Sequence, residues 1–264
     1  MSIRRRDAAI QERRRLLIER SYTKKLRREF ARMSQQVQED YEAGGEGRAI
    51  IGMDEHRDNL QAILGELYWT SLQSAVNYLN EKFGKRFNRR IEAKADSVFD
   101  DDAELGSMSA TSRLMAFFRS QALKFATTIA ATSKETVKRS ISALVEEGAG
   151  EGEIAKQIRG KVDGLSVARS RAIARTETLM AVNSSQYDVV QDMELPPFKN
   201  EWNASLDGRT REDHRAADGQ LRDPGQHFSI GGEQMLYPGD RSGGPAQVIN
   251  CRCVLTQVFD DDED

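Results

Sequence analysis

Cysteine and proline are scarce in this chain. Of its 264 residues two are cysteines, Cys251 and Cys253, and five are prolines, all beyond residue 195. Two cysteines at C-x-C spacing exclude a disulfide framework and suit a reducing compartment or a metal site. The lack of proline leaves the first 195 residues free to run as long helices. No apolar run reaches the ~18 residues that a membrane-spanning helix requires. The start, MSIRRRDAAIQERRR, has no apolar h-region, which argues against a secretory signal, and Asp7 and Glu12 argue against a transit peptide.

The apolar fraction is 38% and the charged fraction 31%. A globular domain has roughly 45–50% apolar residues on a count that includes Gly, so long helices with broad solvated faces are expected. The length suggests one or two domains at about 100–200 residues each. The net charge of −3 hides an asymmetry. Residues 1–40 carry twelve Lys/Arg against six Asp/Glu, while Asp260-Asp261-Asp262-Glu263-Asp264 is wholly acidic. A basic arm that meets an anion or a protein partner and a solvated acidic tail are the expected consequences.

Apolar periodicity predicts the organisation. Residues 1–42 read as a basic amphipathic arm, with Leu26, Phe30, Met33, Val37 and Tyr41 as its stripe and Ile3, Ile10 and Leu17 as a weaker extension. Arg13, Arg14, Arg15, Lys24, Lys25, Arg27 and Arg28 load the other face and are the candidates for nucleic-acid or partner binding. Few aromatics interleave with them, which argues against stacking on single strands. Gly44-Gly45-Glu46-Gly47 predicts a hinge. A helical hairpin is expected over 54–148, with one helix from Asp54 to about Phe99 and another from about Ala110 to Val145, packed antiparallel. A short helix over 152–161, a turn at Asp163-Gly164 and a helix from Ser166 to about Met193 follow. After Pro197 the texture becomes turn-rich, with short strands at 199–202, 235–237, 247–249 and 253–259 and one or two helical turns within 210–218. No internal repeat is present. The fold class read from this pattern is mainly α with a small C-terminal α+β domain, long antiparallel helices followed by a loop-rich cap.

Rare residues concentrate in that cap. His214, Cys251 and Cys253 combine one imidazole and two thiols, a donor set that suits Zn²⁺. A pair of small buried cysteines beside a hydrogen-bonded histidine explains the same residues without a metal. His214 and Asp218 stand four apart, which on a helix would make a His–carboxylate dyad; His227 is also nearby in sequence. Arg209 and Arg211 flank Thr210, a candidate helix cap, and are placed to clamp a carboxylate or phosphate or to make salt bridges within a surface turn. Arg169, Arg171 and Arg175 read as a basic ridge or a solvated helix face. The zincin, nucleophile-elbow and P-loop motifs are absent.

The ordered set resembles a known family. A-R-T-E-T at 174–178, W-x4-D-x-R-T-R-x2-H-x3-D-G-Q at 202–220, a loop with Phe228, Pro238-Gly239-Asp240 and the closing N-C-R-C at 250–253 are similar to the minor head proteins of tailed phages, the family related to phage Mu protein F and the SPP1 gene 7 product. The resemblance covers about 150–258, which delimits the C-terminal domain and leaves 259–264 as the acidic tail. It makes Asp207, Arg209, Thr210, Arg211, His214, Asp218, Gly219, Asn250, Cys251 and Cys253 the family motif residues. It implies a virion protein inside the head near the portal, present in the host cytoplasm during assembly. The portal protein and major capsid protein are the implied partners, double-stranded DNA is the partner suggested by the basic arm, and a homo-oligomer stays open. It implies no catalysis; the rival reading is a metal-dependent hydrolase or nuclease built on the His/Asp/Cys cluster.

Overall fold

The computed structural model describes residues 3–83, 110–191, 193 and 195–259. The expected helix over 84–99, the breaks at 100–107 and the acidic tail lie outside these residues. Four long helices come first: α1 (Ile3–Ile51), α2 (Asp54–Phe83), α3 (Ala110–Glu146) and α4 (Glu151–Gln191). The C-terminal part adds β1 (Phe198–Asn203), α5 (Glu212–Ala216), β2 (Leu221–Arg222), β3 (Phe228–Ile230), β4 (Glu233–Met235), α6 (Pro245–Val248) and β5 (Val254–Phe259). The fold is mainly α with a small C-terminal α+β region, as the periodicity predicts.

The chain forms two compact units. One draws on Met1–Glu19, Leu67–Phe118 and Arg175–Asp264; the other on Arg20–Glu66 and Arg119–Ala174. Among its described residues the second has helices joined by turns and no strand. Its α1 segment buries the predicted stripe Leu26, Phe30, Met33, Val37 and Tyr41, and Tyr22 besides. Its α3 segment buries Ala122, Ala126, Ile129, Val137, Ile141 and Leu144 and exposes Leu123. Helix α1 leaves helical geometry at Gly44 and Gly45. Gly45 takes φ 69 and ψ −162, a conformation essentially reserved to glycine, and so makes the predicted hinge.

Three expectations about elements fail. Helix α4 runs through Asp163 and Gly164 without a turn. A mid-helix Gly costs about 1 kcal/mol, less than the packing of a long helix returns, and Asp163 accepts a hydrogen bond from Ser34 Oγ (2.5 Å). Residues 247–249 form no strand. Pro245 fits the first turn of a helix, and the Gln247 and Val248 amides both donate to the Gly244 carbonyl. Leu236 and Tyr237 lie past the end of β4, drawn into a turn where Asp240 Oδ2 accepts from the Leu236 amide (2.7 Å).

In the first unit β1 is central in a three-stranded antiparallel sheet ordered β2-β1-β5, with Trp202 opposite Leu255. A two-stranded hairpin, β3-β4, stands beside it in sequence. Trp202, Phe228, Ile230, Met235, Leu255, Cys251 and Cys253 share one core with Leu179 and Tyr187 of α4. The start of α1 belongs to the same unit: Lys82 of α2 donates to Asp7 Oδ2 (2.6 Å) and to the Gln257 carbonyl of β5 (3.0 Å). Ile10 and Leu17, read as a weak apolar spacing, are exposed, whereas Ala8, Gln11, Arg15 and Ile18 are buried.

Candidate functional site: a buried histidine and two cysteines

His214, Cys251 and Cys253 converge from two directions. Helix α5 is a single turn set on the Arg209–Arg211 corner, and its one buried residue is His214. The N-C-R-C segment enters β5 and carries both sulfurs inward at alternate positions. His214 Nδ1 lies 3.3 Å from Cys253 Sγ and 3.4 Å from Cys251 Sγ. The imidazole meets the Trp202 indole edge-on at 5.5 Å and 87°. All three side chains are about 2% exposed.

The tautomer follows from the next residues out. Gln247 Nε2 donates to Asp213 Oδ2 (3.0 Å), which turns Gln247 Oε1 toward His214 Nε2 at 2.9 Å. An amide oxygen only accepts, so Nε2 carries a proton and donates it to Gln247. Burial pushes the Cys251 thiol up, but hydrogen bonds with Cys253 and His214 more than offset this and hold it well below the ordinary value. Cys253 is held well above it, first by its hydrogen bond to Cys251 and then by burial. Beside it lies a cavity of about 10 Å³ lined by Ser205, Arg209, Thr210, Arg211, His214, Asn250 and the 251–253 segment, room for about one water.

The expected dyad is absent. Helix α5 ends at Ala216, so His214 and Asp218 share no helical face. Asp218 instead accepts from the Ala204 amide (2.9 Å) and from the Arg5 guanidinium. Gly219 donates its amide to the Trp202 carbonyl (2.8 Å), so the Asp218-Gly219-Gln220 segment fastens to β1. His227 is exposed and stands apart from the cluster.

The Asp207–Arg211 corner is also self-contained. Thr210 caps no helix; the residue before α5 is Arg211, without a side-chain cap. Thr210 Oγ1 accepts from the Asp207 amide (3.1 Å), and Asp207 Oδ1 accepts from the Arg209 amide (2.9 Å). The clamped carboxylate is Asp207 and the clamp is Arg252, which reaches both its oxygens. Arg211 donates to the Ile249 carbonyl (2.6 Å) rather than to an outside anion.

The A-R-T-E-T stretch on α4 anchors the cap. Glu177 accepts from Arg241 at 2.7 and 2.6 Å and from the Tyr68 hydroxyl at 2.6 Å. Thr176 Oγ1 accepts from the Asn250 amide (3.1 Å), and Arg175 donates to Glu19 (3.1 Å) and Asn250 Oδ1 (3.3 Å). Asn250 holds φ 59, a left-handed conformation that asparagine tolerates. Arg169 and Arg175 thus form no common ridge: Arg169 lies over the Phe30 ring and donates to the Ile129 carbonyl (3.1 Å). Gly239 approaches α4 so closely, at φ +86, that a Cβ would meet Met180 backbone at 3.3 Å. Sequence reading missed Gln247, Asp213, Arg252, Arg241 and Asn183. Asn183 accepts from the Leu255 amide (3.1 Å) and donates to the Pro238 carbonyl (2.8 Å). Its signal was available: Asn183-Ser184-Ser185-Gln186 is a polar run inside an otherwise apolar helix segment, and all four are buried.

The basic residues of α1 divide. Arg15 is fully buried and pairs with Glu19 (2.7 Å), which removes it from the expected solvated face. Arg14 pairs with Glu81 (2.5 Å) and packs over Tyr78, and Lys25 pairs with Glu66. Arg13, Lys24, Arg27 and Arg28 are exposed, as is Arg20.

Residues 135–256 match the family described as Phage Mu protein F like protein. The chain is 32% identical over 115 residues to the minor head protein GP7 of Bacillus phage SPP1, covering 43% of this chain and 37% of that one. It is 30% identical over 129 residues to the NAD(+)–arginine ADP-ribosyltransferase EFV of Enterococcus faecalis, covering 48% of this chain and 26% of that protein. It is 23% identical over 211 residues to the uncharacterized protein YqbB of Bacillus subtilis, covering 77% and 68%. The chain thus spans about a quarter of the transferase's length and just over a third of GP7's. No solved structure matches.

Proposed function

We propose, from the match of residues 135–256 to the Phage Mu protein F like family, that the chain is a minor head protein of a tailed phage, acting in head morphogenesis and in portal-associated packaging or delivery of DNA. The observation that carries this reading is the family match over a stretch that contains all ten motif residues, together with the likeness to the SPP1 minor head protein. The motif residues serve the fold: Asp207, Thr210, Asp218, Gly219 and Asn250 tie loops to strands and to α4. Such a module presents a fixed surface for docking on other head components, the portal and major capsid proteins first among them. The same reading puts the protein in the virion.

A metal-dependent hydrolase or nuclease has less support. Asp218 is engaged by Arg5 and Ala204, away from His214, and the cavity beside the cysteines admits about one water and no substrate. The transferase activity in the name of one relative belongs to a protein of which this chain covers 26%.

The test is composition of particles from the encoding phage. Mass spectrometry of purified heads is expected to find the chain in few copies, and heads assembled without portal are expected to lack it. Heads that never contain it would overturn the reading. Equal amounts with and without portal would overturn its portal-associated part.

A further inference from the structure

We propose that His214 Nδ1 and the sulfurs of Cys251 and Cys253 form a binding site for one zinc-type divalent ion, with a water as fourth ligand. The proposal stands on the side-chain geometry and is independent of the head-protein reading.

Three observations converge. First, the three donor atoms lie within 4.8 Å of one another, with both nitrogen–sulfur separations at 3.3–3.4 Å. A tetrahedral zinc at about 2.3 Å from sulfur and about 2.0 Å from nitrogen spaces its ligands by roughly 3.5–3.8 Å, so an opening of a few tenths of an ångström admits it. Second, the histidine is oriented as a ligand. Its far nitrogen donates to Gln247, which Asp213 holds in turn, the outer arrangement that fixes the tautomer of metal-binding imidazoles. Third, the cavity of about 10 Å³ lined by all three ligand residues, with Thr210 and Ser205 beside them, has room for one water.

Charge favours the ion. On binding, two sulfur–metal bonds and one nitrogen–metal bond form, the protons held by the two cysteines leave to solvent, and two thiolates cancel the two positive charges. The product is neutral, so it avoids the desolvation cost of an isolated buried charge. The ion would join the base of β5 to α5, fixing the corner that the Arg252–Asp207 pair also closes.

The test uses the full chain, purified reduced, stripped with a chelator and titrated with Co²⁺. One equivalent is expected to give the visible bands of tetrahedral cobalt and a thiolate-to-cobalt charge-transfer band, both bleached by Zn²⁺. Zn²⁺ but not Mg²⁺ is expected to raise the Tm. Gln247→Ala is expected to weaken binding about 10–100-fold, while His227→Ala leaves it unchanged. A folded wild-type chain with two free thiols and no charge-transfer band in excess cobalt would overturn the proposal, as would a band that survives Cys251→Ser and Cys253→Ser together. Should the serine variants fail to fold, the wild-type titration decides alone.

Discussion

Glu177 is a buried carboxylate whose every partner in view is a donor: both oxygens meet Arg241 and one meets the Tyr68 hydroxyl. Burial, then the neighbouring Glu177 charge, holds the Tyr68 hydroxyl well above its ordinary value, so Tyr68 stays a donor. Removing the carboxylate takes a charged partner from the part-buried Arg241 guanidinium, which is costlier than losing both members of the pair. Glu177→Ala is expected to destabilise the protein by about 2–4 kcal/mol, read as a lower denaturant midpoint. Glu177→Gln, which keeps an acceptor for Tyr68 but loses the ionic clamp, is expected to cost less. Equal midpoints for wild type and Glu177→Ala would show that the clamp contributes nothing. A similar logic, with a different cause, applies to Gly239. Its φ of +86 and the nearness of Met180 backbone leave no room for a side chain. Gly239→Ala is expected to cost about 1–3 kcal/mol by the same measurement.

At the scale of elements, α1 and α2 are joined within the helical unit by a charged contact as well as an apolar one. Glu29 of α1 accepts from Arg32 (3.1 Å) and contacts His56 Nδ1 (2.8 Å), while the His56 ring meets Phe30 edge-on at 5.2 Å. Burial pushes the Glu29 carboxyl up, but His56 and Arg32 outweigh it and hold the group below its ordinary value of 4.5. With the folded pKa lowered, the unfolded chain binds more protons between the two values, so stability is present above pH 4.5 and is lost as pH falls through the folded pKa. Unfolding followed by circular dichroism across this window is expected to show a shallower acid dependence in Glu29→Gln than in the wild type; identical slopes would remove Glu29 from the acid transition. The elements themselves were legible where one period dominates. The stripe Leu26–Tyr41, the Gly44–Gly45 hinge and the α3 span follow from spacing alone. Gly164 and residues 247–249 misled because local preference was read without the packing that overrides it. In the cap, the sequence order exposed the residues but not their pairings. His214 with the two cysteines was legible from donor chemistry, whereas Asp207 with Arg252 and Glu177 with Arg241 join positions 45 and 64 apart in the chain, a separation no local pattern encodes.

For the molecule as a whole the governing fact is a net charge of −3 on a chain whose first forty residues carry twelve Lys/Arg against six Asp/Glu. A protein with that balance is repelled by DNA on average and can approach it only through a local patch. On α1, Arg20, Lys24, Arg27 and Arg28 are exposed and spaced by four, three and one residues, which places them along one side of the helix. Arg14, Arg15 and Lys25 are spent on Glu81, Glu19 and Glu66, so they are poor candidates for phosphate contacts. Of the seven candidate cations Lys24, Arg27 and Arg28 belong to this cluster, Arg20 joins them, and Arg13 is exposed nearer the start of α1. If the cluster meets duplex DNA, each cation that neutralises a phosphate contributes about 0.9 to the slope of log affinity against log salt. Replacing Arg20, Lys24, Arg27 and Arg28 by Gln is expected to weaken duplex binding at low salt and to flatten that slope by roughly one unit per lost contact. Fluorescence anisotropy with a labelled duplex at several salt concentrations measures both. Replacing Arg14 and Lys25 instead is expected to leave the slope in place. A slope unchanged by the fourfold variant would assign the α1 face to a protein partner of the head.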